Sequence, residues 1–121
     1  NHTTSYWVAN HNRRVFTSKV DVVCGIGYDR AKELGQASRR FFEIRCVVSN
    51  LGVFDFKTDD NRMRLKSLHP GVSIDAVIEN TGFELVVPSD VPTSPLPSDN
   101  DLRLIRETLD PGGWGAKEIP Q

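Results

Sequence analysis

The chain has 121 residues, a hydrophobic content of 38%, a charged content of 26% and a formal net charge of −1. This length fits one domain with a hydrophobic core of its own. The near-zero charge gives no electrostatic footprint for nucleic acid or an anionic membrane surface, so neither is an expected partner. No apolar run approaches the roughly 20 residues of a membrane-spanning helix, and no basic segment followed by an apolar one indicates a signal peptide.

The two cysteines bear on the cellular compartment. Cys24 and Cys46 lie among apolar, β-branched residues, in VDVVCG and EIRCVVS. Such surroundings favour buried thiols over a disulfide, and we expect a cytoplasmic protein. The histidines and these cysteines match no zinc-binding spacing, so the sequence predicts no metal site.

The first half of the chain alternates strand and helix signals. SYWVA at 5–9 is typical of a buried strand, and VDVVCG at 20–25 is continuously apolar, as in a strand covered on both faces. GIGYD then predicts a sharp turn, with Asp29 capping a short helix that ends at Gly35. FFEIRCVVSN at 41–50 is the strongest strand signal in the sequence.

A hairpin follows this strand. We predict that 43–49 is a central strand and that 52–56 and 62–68 form an antiparallel hairpin at one end of the sheet, because the last two runs alternate in period 2. In the second hairpin strand, Met63, Leu65 and Ser67 share one face, and Arg64 and Lys66 share the other. The face with the two cations is expected to be wet.

A short helix and another strand candidate come next, in SLHPGVSIDAVIENTGFELVVP. Ser73 is a good N-cap residue, and Gly82 lies where the helix must stop. The inward stripe is expected to consist of Ile74, Val77 and Ile78. FELVVP at 83–88 is a further strand candidate.

The C-terminal part is predicted to be extended and then helical. A Pro-rich linker covers 88–97, a tail helix capped by Ser98 or Asp99 covers 99–109, and a loose end covers 112–121. The whole pattern predicts a single α/β domain over 1–121. Its sheet is expected to be open and mostly parallel, flanked by helices, with one antiparallel hairpin.

A long motif in this sequence resembles a known family. VVSNLGVFDFKTDDNRMRLKSLHPGVSIDAVIENTGF, residues 47–83, closely resembles the C-terminal part of the β subunit of family I CoA-transferases, nearest to the glutaconate CoA-transferase branch. HNRRVFTSKVDVVCGIGYD resembles that family's H-x-(K/R)RRF-x-x-KVD segment and the glycine loop after it. LPSDNDLRLIRETLDP is similar to the end of a sub-branch that includes CoA-ester hydrolases of steroid-ring breakdown. The resemblance covers nearly all of residues 8–111 and implies an incomplete CoA-transferase-like fold.

The resemblance implies a function and partners. The chain is expected to be a β-subunit segment of an acyl-CoA transferase, which exchanges CoA between an acyl-CoA and a carboxylic acid, or of a related CoA-thioester hydrolase. A coenzyme A thioester would be the substrate, and no separate cofactor is implied. The expected partners are an α subunit, the missing N-terminal half of the β subunit, or both, in an oligomer. The alternative is a non-catalytic, stand-alone truncated homologue that acts as an oligomeric or binding module.

The family's catalytic carboxylate is not found in this sequence. In the family, a glutamate in a short motif well upstream attacks the acyl-CoA thioester and becomes a glutamyl-CoA thioester, and a glycine-rich oxyanion segment also precedes this region. The glutamates here are Glu33, Glu43, Glu79, Glu84, Glu107 and Glu118, and none lies in such a motif. Glu79-Asn80 belongs to the ENTGF ending that the family shares as a structural feature. We therefore predict no catalytic residue in these 121 residues.

Four residues are candidates for substrate binding. Backbone N–H groups of the loop at Gly25, Gly27 and Tyr28 could meet a CoA or acyl group, as glycine loops do at the ends of strands in open α/β sheets. Asn50, at the end of a strand, could orient a substrate carbonyl. Turn geometry alone also accounts for the glycines and for Asn50.

Two histidine-containing segments have alternative interpretations as well. His11-Asn12-Arg13-Arg14 could meet a CoA phosphate, because arginine suits phosphate, or could be a solvated loop or a subunit contact. His69, between Leu68 and Pro70, is interpreted as a hydrogen-bonded hinge residue rather than as a catalytic base.

Overall fold

A computed structural model gives the architecture and describes residues 3–40 and 42–118. The sheet has four strands in the order β1-β2-β3-β4. The strands are β1 Thr3–Val8, β2 Glu43–Ser49, β3 Gly52–Asp55 and β4 Arg64–Leu68. The helices are α1 Tyr28–Glu33, α2 Gln36–Arg39, α3 Ile74–Asn80, α4 Asp99–Leu104 with a π-helical continuation at Ile105–Leu109, and α5 Trp114–Glu118.

The α/β class, the central strand β2 and the antiparallel hairpin β3–β4 are confirmed. The sheet is mixed rather than mostly parallel, because β1–β2 is its one parallel pair within the described residues, and β2–β3 and β3–β4 are antiparallel. Connection length explains the difference. Only two residues join β2 to β3, which permits only an antiparallel return, whereas the long stretch from β1 to β2 allows a parallel crossover.

The prediction of a strand at 20–25 is wrong. This segment has no regular secondary structure, and Val20, Val22 and Val23 are exposed. Among the described residues this segment joins no strand of the sheet, whose order is β1-β2-β3-β4. The predicted strand at 5–9 does form as β1, but it is an edge strand with exposed aromatic side chains rather than a buried one.

The hydrophobic core lies between the sheet, the loop before it and α3. Its buried members are Phe16, Val47, Phe54, Leu65 and Val77. Ser73 caps α3 as predicted, because its hydroxyl accepts the Ala76 N–H at 3.1 Å. Val77 points into the core, but Ile78 is exposed, since a helix of two turns offers only a narrow inward stripe.

The predicted strand at 83–88 pairs with the sheet at a single residue. The backbone of Val86 bonds to Met63 O at 3.1 Å and to Leu65 N–H at 2.9 Å, along the free edge of β4. The next residue able to continue the ladder is Pro88, which has no N–H. The segment therefore follows the sheet edge without becoming a strand.

The C-terminal part runs along the surface. The linker at 88–97 is extended and touches the sheet where Ser94 N–H bonds to Leu68 O at 2.6 Å. Residues 99–109 are helical, and Ser98 forms a capping box with Asp101. The end expected to be loose from 112 contains the one-turn helix α5, while 119–121 lie outside the described residues.

Candidate functional site

A buried histidine lies where three segments of the chain meet. His11 is 3% exposed. Its Nδ1 is 2.9 Å from Ser49 Oγ, and its Nε2 is 3.0 Å from Thr81 Oγ1. Its ring stacks on Phe16, with 3.6 Å between centroids and 3° between planes. We call His11, Ser49, Thr81 and their bonded neighbours the histidine hub.

The hydrogen bonds of the hub assign a neutral imidazole. The Thr81 hydroxyl donates to Val77 O at 2.8 Å, so it can only accept from the Nε2–H of His11. The Ser49 hydroxyl accepts the Leu51 N–H at 3.1 Å, and its proton can go to Gly52 O at 3.5 Å or to His11 Nδ1 at 2.9 Å, of which the second is the shorter contact. Burial lowers the pKa of His11 to about 4, because a charged ring would lose its hydration. The ring is therefore neutral at physiological pH.

The hub links the sequence motifs that carry the family resemblance. The backbone N–H of His11 donates to Asn50 Oδ1 at 2.8 Å, and His69 Nε2 lies 2.8 Å from Ser49 O. His69 therefore has the hydrogen bond that was expected of it, and its role as a hinge residue stays a prediction. One buried cluster therefore joins four sequence motifs: HNRRVF, VVSN, SLHPGV and ENTGF. The hydrogen bonds of this cluster hold the four chain segments together.

Gly82 of the ENTGF motif is required by close backbone contact. Its N–H donates to Phe16 O at 2.6 Å. A Cβ added at Gly82 would lie 2.6 Å from that same oxygen and 3.3 Å from Thr17 Cα. Only glycine fits here without displacing the backbone.

The glycines of the candidate site are different. A Cβ added at Gly25 or Gly27 would meet nothing within 4 Å, and neither residue has a positive φ. Neither crowding nor backbone conformation in the described residues therefore demands glycine at these two positions. Gly27 begins α1 as its N-cap residue without a side-chain cap, so the predicted capping role of Asp29 is wrong, and Asp29 lies in the first turn instead.

The four candidate residues do not form one site. Gly25 and Gly27 line an open surface pocket of about 480 Å³. Tyr28 lines a different pocket, of about 290 Å³. Asn50 is exposed and is held by the histidine hub. The remaining residues of the first pocket are Val20, Asp21, Val22, Val23, Asp29 and Arg30.

The loop after β1 is partly as expected. Arg13 and Arg14 are exposed, as in a solvated loop, and Asn12 Oδ1 organises it by accepting the Arg14 N–H at 3.0 Å. His11 is buried, although the polar run HNRR indicated an exposed loop. The one available signal was its place in the family-like motif, because its hydrogen-bond partners lie 38 and 70 residues away in sequence.

An ion pair stabilises the hairpin. Arg64 Nε and Nη2 lie 2.9 and 2.8 Å from the two carboxylate oxygens of Asp55, which is buried. Burial raises the pKa of Asp55, but the hydrogen bonds from Arg64 and from the Lys57 backbone, with the charges of both residues, bring that pKa below its ordinary value. The hairpin face expected to be wet is therefore only partly so, since Lys66 is exposed and Arg64 is paired.

The two cysteines are free thiols, and the potential metal ligands of the described residues are not clustered. Cys24 is exposed and Cys46 is partly buried, both as free thiols, so the predicted burial is wrong for Cys24. Over 3–40 and 42–118, no group of three or more His, Cys, Asp or Glu could hold a metal ion. No helix in the same ranges combines the length and the apolar character that crossing a membrane requires.

Comparison with known proteins identifies relatives about twice as long. No family model matches the sequence. The chain is 49% identical over 119 residues to the cholesterol ring-cleaving hydrolase IpdB subunit of Rhodococcus jostii, which covers 98% of this chain and 47% of that protein. It is 32% identical over 108 residues to the β subunit of glutaconate CoA-transferase from Acidaminococcus fermentans, covering 84% of this chain and 39% of that protein.

A solved structure agrees with these relatives. The crystal structure of Rhodococcus jostii IpdAB matches with a TM-score of 0.90 and 47% identity, over 100% of this chain and 48% of that chain. The chain therefore spans about half the length of the curated relatives it matches, and its fold is that of the corresponding half.

Proposed function

Because the chain is a relative of the β subunits of family I CoA-transferases, we propose that it forms the C-terminal segment of such a subunit in an enzyme acting on CoA thioesters. Two reactions are open to this family: CoA transfer and hydrolysis. The 49% identity to a ring-cleaving hydrolase subunit, against 32% to a glutaconate CoA-transferase subunit, favours hydrolysis of a ring bond in the substrate over transfer of CoA. The glutaconate-type transfer is the second candidate.

One observation supports the proposal: the apolar segment at 20–23 and the glycine loop at 25–27 are adjacent, and both are exposed to solvent. Val22 is among the exposed apolar residues, and Gly25 and Gly27 beside it have open space where a side chain would be. Glycine without a local need is typical of a backbone that another molecule approaches closely. We propose that the loop at 25–27 faces the bound acyl-CoA and that the valines before it pack on the N-terminal half of such a subunit.

The nucleophile is proposed to come from another segment. Glu33, Glu43, Glu79, Glu84 and Glu107 are the glutamates whose exposure is described, and all are exposed. A catalytic carboxylate in covalent acyl transfer works in a desolvated site that also holds oxyanion donors. Exposed carboxylates on separate helices and strands do not have that environment. This favours a structural role for the chain in the active site over a catalytic one.

The proposed partners and compartment follow from the same features. The uncovered valines and the exposed edge of β1 support assembly with an N-terminal β-subunit half, an α subunit, or both. The free thiols of Cys24 and Cys46 support a reducing compartment, and we propose the cytoplasm.

A trapping experiment tests the proposal. The chain alone, and the chain combined with the rest of Rhodococcus jostii IpdAB, are incubated with glutaryl-, succinyl- or acetyl-CoA and then treated with borohydride or hydroxylamine. We expect no glutamyl-CoA adduct on the chain alone by mass spectrometry, and binding of CoA thioester by the combined assembly; transfer of CoA to a free acid would favour the glutaconate-type candidate. An adduct on a glutamate of this chain, Glu79 being the first to inspect, would overturn the proposal. An assembly that forms but binds no CoA thioester would support the non-catalytic module instead.

A further inference from the structure

The C-terminal tail, which we define as residues 98–118, has almost no cover from the rest of the chain. It contains α4, its π-helical continuation and α5. Between 98 and 117 only Leu102 and Asp110 are partly buried, and the others are exposed. Among the described residues, every hydrogen bond made by the tail joins two of its own members. Isolated helices shorter than about 12–15 residues are only marginally stable in water, so we expect another surface to support the tail.

Four large apolar side chains of the tail face solvent. They are Leu104, Ile105, Leu109 and Trp114. A concentration of this kind in a short segment is typical of a protein–protein interface. Tryptophan is enriched among the few residues that contribute most of the binding energy at such interfaces, so Trp114 is the expected anchor.

The indole of Trp114 is held in place before any partner binds. The two carboxylate oxygens of Asp110 accept the backbone N–H groups of Trp114 at 2.8 Å and of Gly115 at 2.7 Å. A Cβ added at Gly112 would lie 2.6 Å from Trp114 Nε1, so glycine at 112 lets the ring lie against the backbone. Lys117 Nζ lies 4.0 Å from the centroid of the same ring. A side chain fixed in this way loses little conformational entropy on binding.

The tail follows the same path in a relative that is part of a two-subunit enzyme. The crystal structure of Rhodococcus jostii IpdAB matches 100% of this chain with a TM-score of 0.90. The tail is too large a part of the 121 residues for this score to arise if its path differed. A segment that keeps its path with almost no support from its own domain is typical of one that lies on a neighbouring polypeptide.

The tail and the expected place of the N-terminal half lie at opposite ends of the sheet. Another strand can extend the sheet at β1, whereas Val86 and Ser94 already bond to the outer edge of β4. The Ser94 contact, to Leu68 O at 2.6 Å, lies just before the tail in sequence. Because the strand order is β1-β2-β3-β4, three spacings of about 4.8 Å separate β1 from this end of the sheet. A different partner is therefore expected at the tail.

We infer that the tail docks on the α-type subunit of the assembly, with Trp114 and Leu109 inserted into an apolar groove of that subunit. This is a helix-in-groove contact, in which apolar side chains of a helical segment fill pockets on the partner. The inference rests on the proposed function for the existence of the α-type subunit, and on the tail for the surface that binds it.

Affinity for the other subunit tests the inference. The chain is combined with the N-terminal half of the Rhodococcus jostii IpdB subunit, and the other subunit of IpdAB is titrated into the mixture by calorimetry. Trp114→Ala and Leu109→Ala are each expected to weaken this binding by about tenfold or more. Trp7→Ala is the matched control, because Trp7 is 61% exposed at the opposite end of the sheet and Trp114 is 68% exposed. It should bind the other subunit like the unmodified chain.

A fluorine label gives a local measurement of the same contact. Trp7 and Trp114 are the two tryptophans of the chain. When only the chain carries 5-fluorotryptophan, the fluorine resonance of Trp114 should shift on addition of the other subunit, and that of Trp7 should not. Trp7→Phe assigns the two resonances. An unchanged Trp114 resonance in the complete assembly would contradict the inference.

Three results of the titration would overturn the inference. The first is equal affinity of Trp114→Ala and the unmodified chain for the other subunit, or an equally large loss in Trp7→Ala. The second is loss of the N-terminal half in Trp114→Ala, which would assign the tail to its own subunit. The third is loss of self-association alone, which would assign the tail to a second copy of the chain. Circular dichroism checks the fold of Trp114→Ala, and Leu109→Ala provides the test if that variant does not fold.

The inference and the proposed function fail separately. If the assembly binds CoA thioester and Trp114→Ala keeps its affinity for the other subunit, the docking of the tail is wrong and the function stands. If Trp114→Ala releases the other subunit and the unmodified assembly binds no CoA thioester, the docking of the tail stands and the function is wrong.

Discussion

The segment before α1 and the region around the histidine hub have similar apolar sequences but opposite environments. Val47 and Val77 are 7% and 0% exposed, whereas Val20 and Val22 are 53% and 81% exposed. The first pair has β-strands, Phe16 and α3 around it, and the second has no covering element among the described residues. Burying a valine side chain is worth roughly 1.5–3 kcal/mol, so the uncovered run is a strong pointer to an interface. An apolar run indicates that its side chains must be buried. The sequence of the run does not say whether the same domain or another segment buries them.

The largest difference between the two regions is expected from truncating aromatic side chains. Phe54→Ala removes a fully buried ring and leaves a cavity, so the free energy of unfolding should fall by about 3–5 kcal/mol. Trp7→Ala, in the exposed edge strand β1, should cost less than about 1 kcal/mol. Urea unfolding of both variants measures the two changes in the free energy of unfolding. Equal decreases would mean that the two regions are packed equally well.

Acid should weaken the hub region selectively. The folded pKa of His11 is about 4 against an ordinary value of 6.5, so the unfolded chain takes up this proton first as the pH falls. The contribution is complete above about pH 6.5 and is lost between pH 6.5 and 4, amounting to roughly 2–3 kcal/mol. The pKa of Asp55 lies below its ordinary value of 3.8, so its contribution is lost only at lower pH.

A variant without the His11 imidazole separates this effect from other titrations. Stability measured from pH 7 to pH 4 should fall less steeply in His11→Gln than in the unmodified chain. Identical slopes would contradict the assignment of a buried neutral imidazole.

The hydrogen bond from His11 to Thr81 is expected to have a smaller effect. Thr81→Val keeps the shape of the side chain but removes the acceptor, which leaves the buried Nε2–H of His11 unsatisfied. The free energy of unfolding should fall by about 1–3 kcal/mol. Thr81→Ser keeps the hydroxyl and is the matched control. A Thr81→Val variant as stable as Thr81→Ser would mean that the hydrogen bond does not hold the hub together.

The smallest effect on stability is expected at the glycine loop. Gly27→Ala has open space for its Cβ and replaces only the glycine N-cap of the short helix α1, so the free energy of unfolding should fall by no more than about 1 kcal/mol. Gly82→Ala is the contrasting variant, because its Cβ would lie 2.6 Å from Phe16 O and must destabilise the hub. If the loop faces acyl-CoA, Gly27→Ala should still reduce turnover in the assembly with the rest of IpdAB. Unchanged turnover would argue against a ligand at this loop.

Local sequence signals were sufficient for part of the fold. Strand β2 and the hairpin follow from an apolar run and a period-2 pattern, and the caps at Ser73 and Ser98 follow from side-chain chemistry. These features depend on neighbours within a few residues, which a single sequence contains.

The candidate site depended on distant contacts and was predicted less well. The burial of His11 arises from partners 38 and 70 residues away, which no local pattern specifies. The same limit explains why VDVVCG was predicted as a strand, because its apolar character does not say which chain covers it. The separation of Tyr28 and Asn50 from the glycine loop could likewise not be read from spacing.

The central claim is that protein outside these 121 residues covers the exposed apolar region before α1. Light scattering at micromolar concentration tests it most directly, on the chain alone and mixed with the N-terminal half of the Rhodococcus jostii IpdB subunit. The account predicts a dimer or larger assembly for the chain alone and a stable complex with the added half. It also predicts that Val22→Asp, within the exposed run, weakens the complex without unfolding the chain. A chain that stays monomeric in both samples would contradict the account.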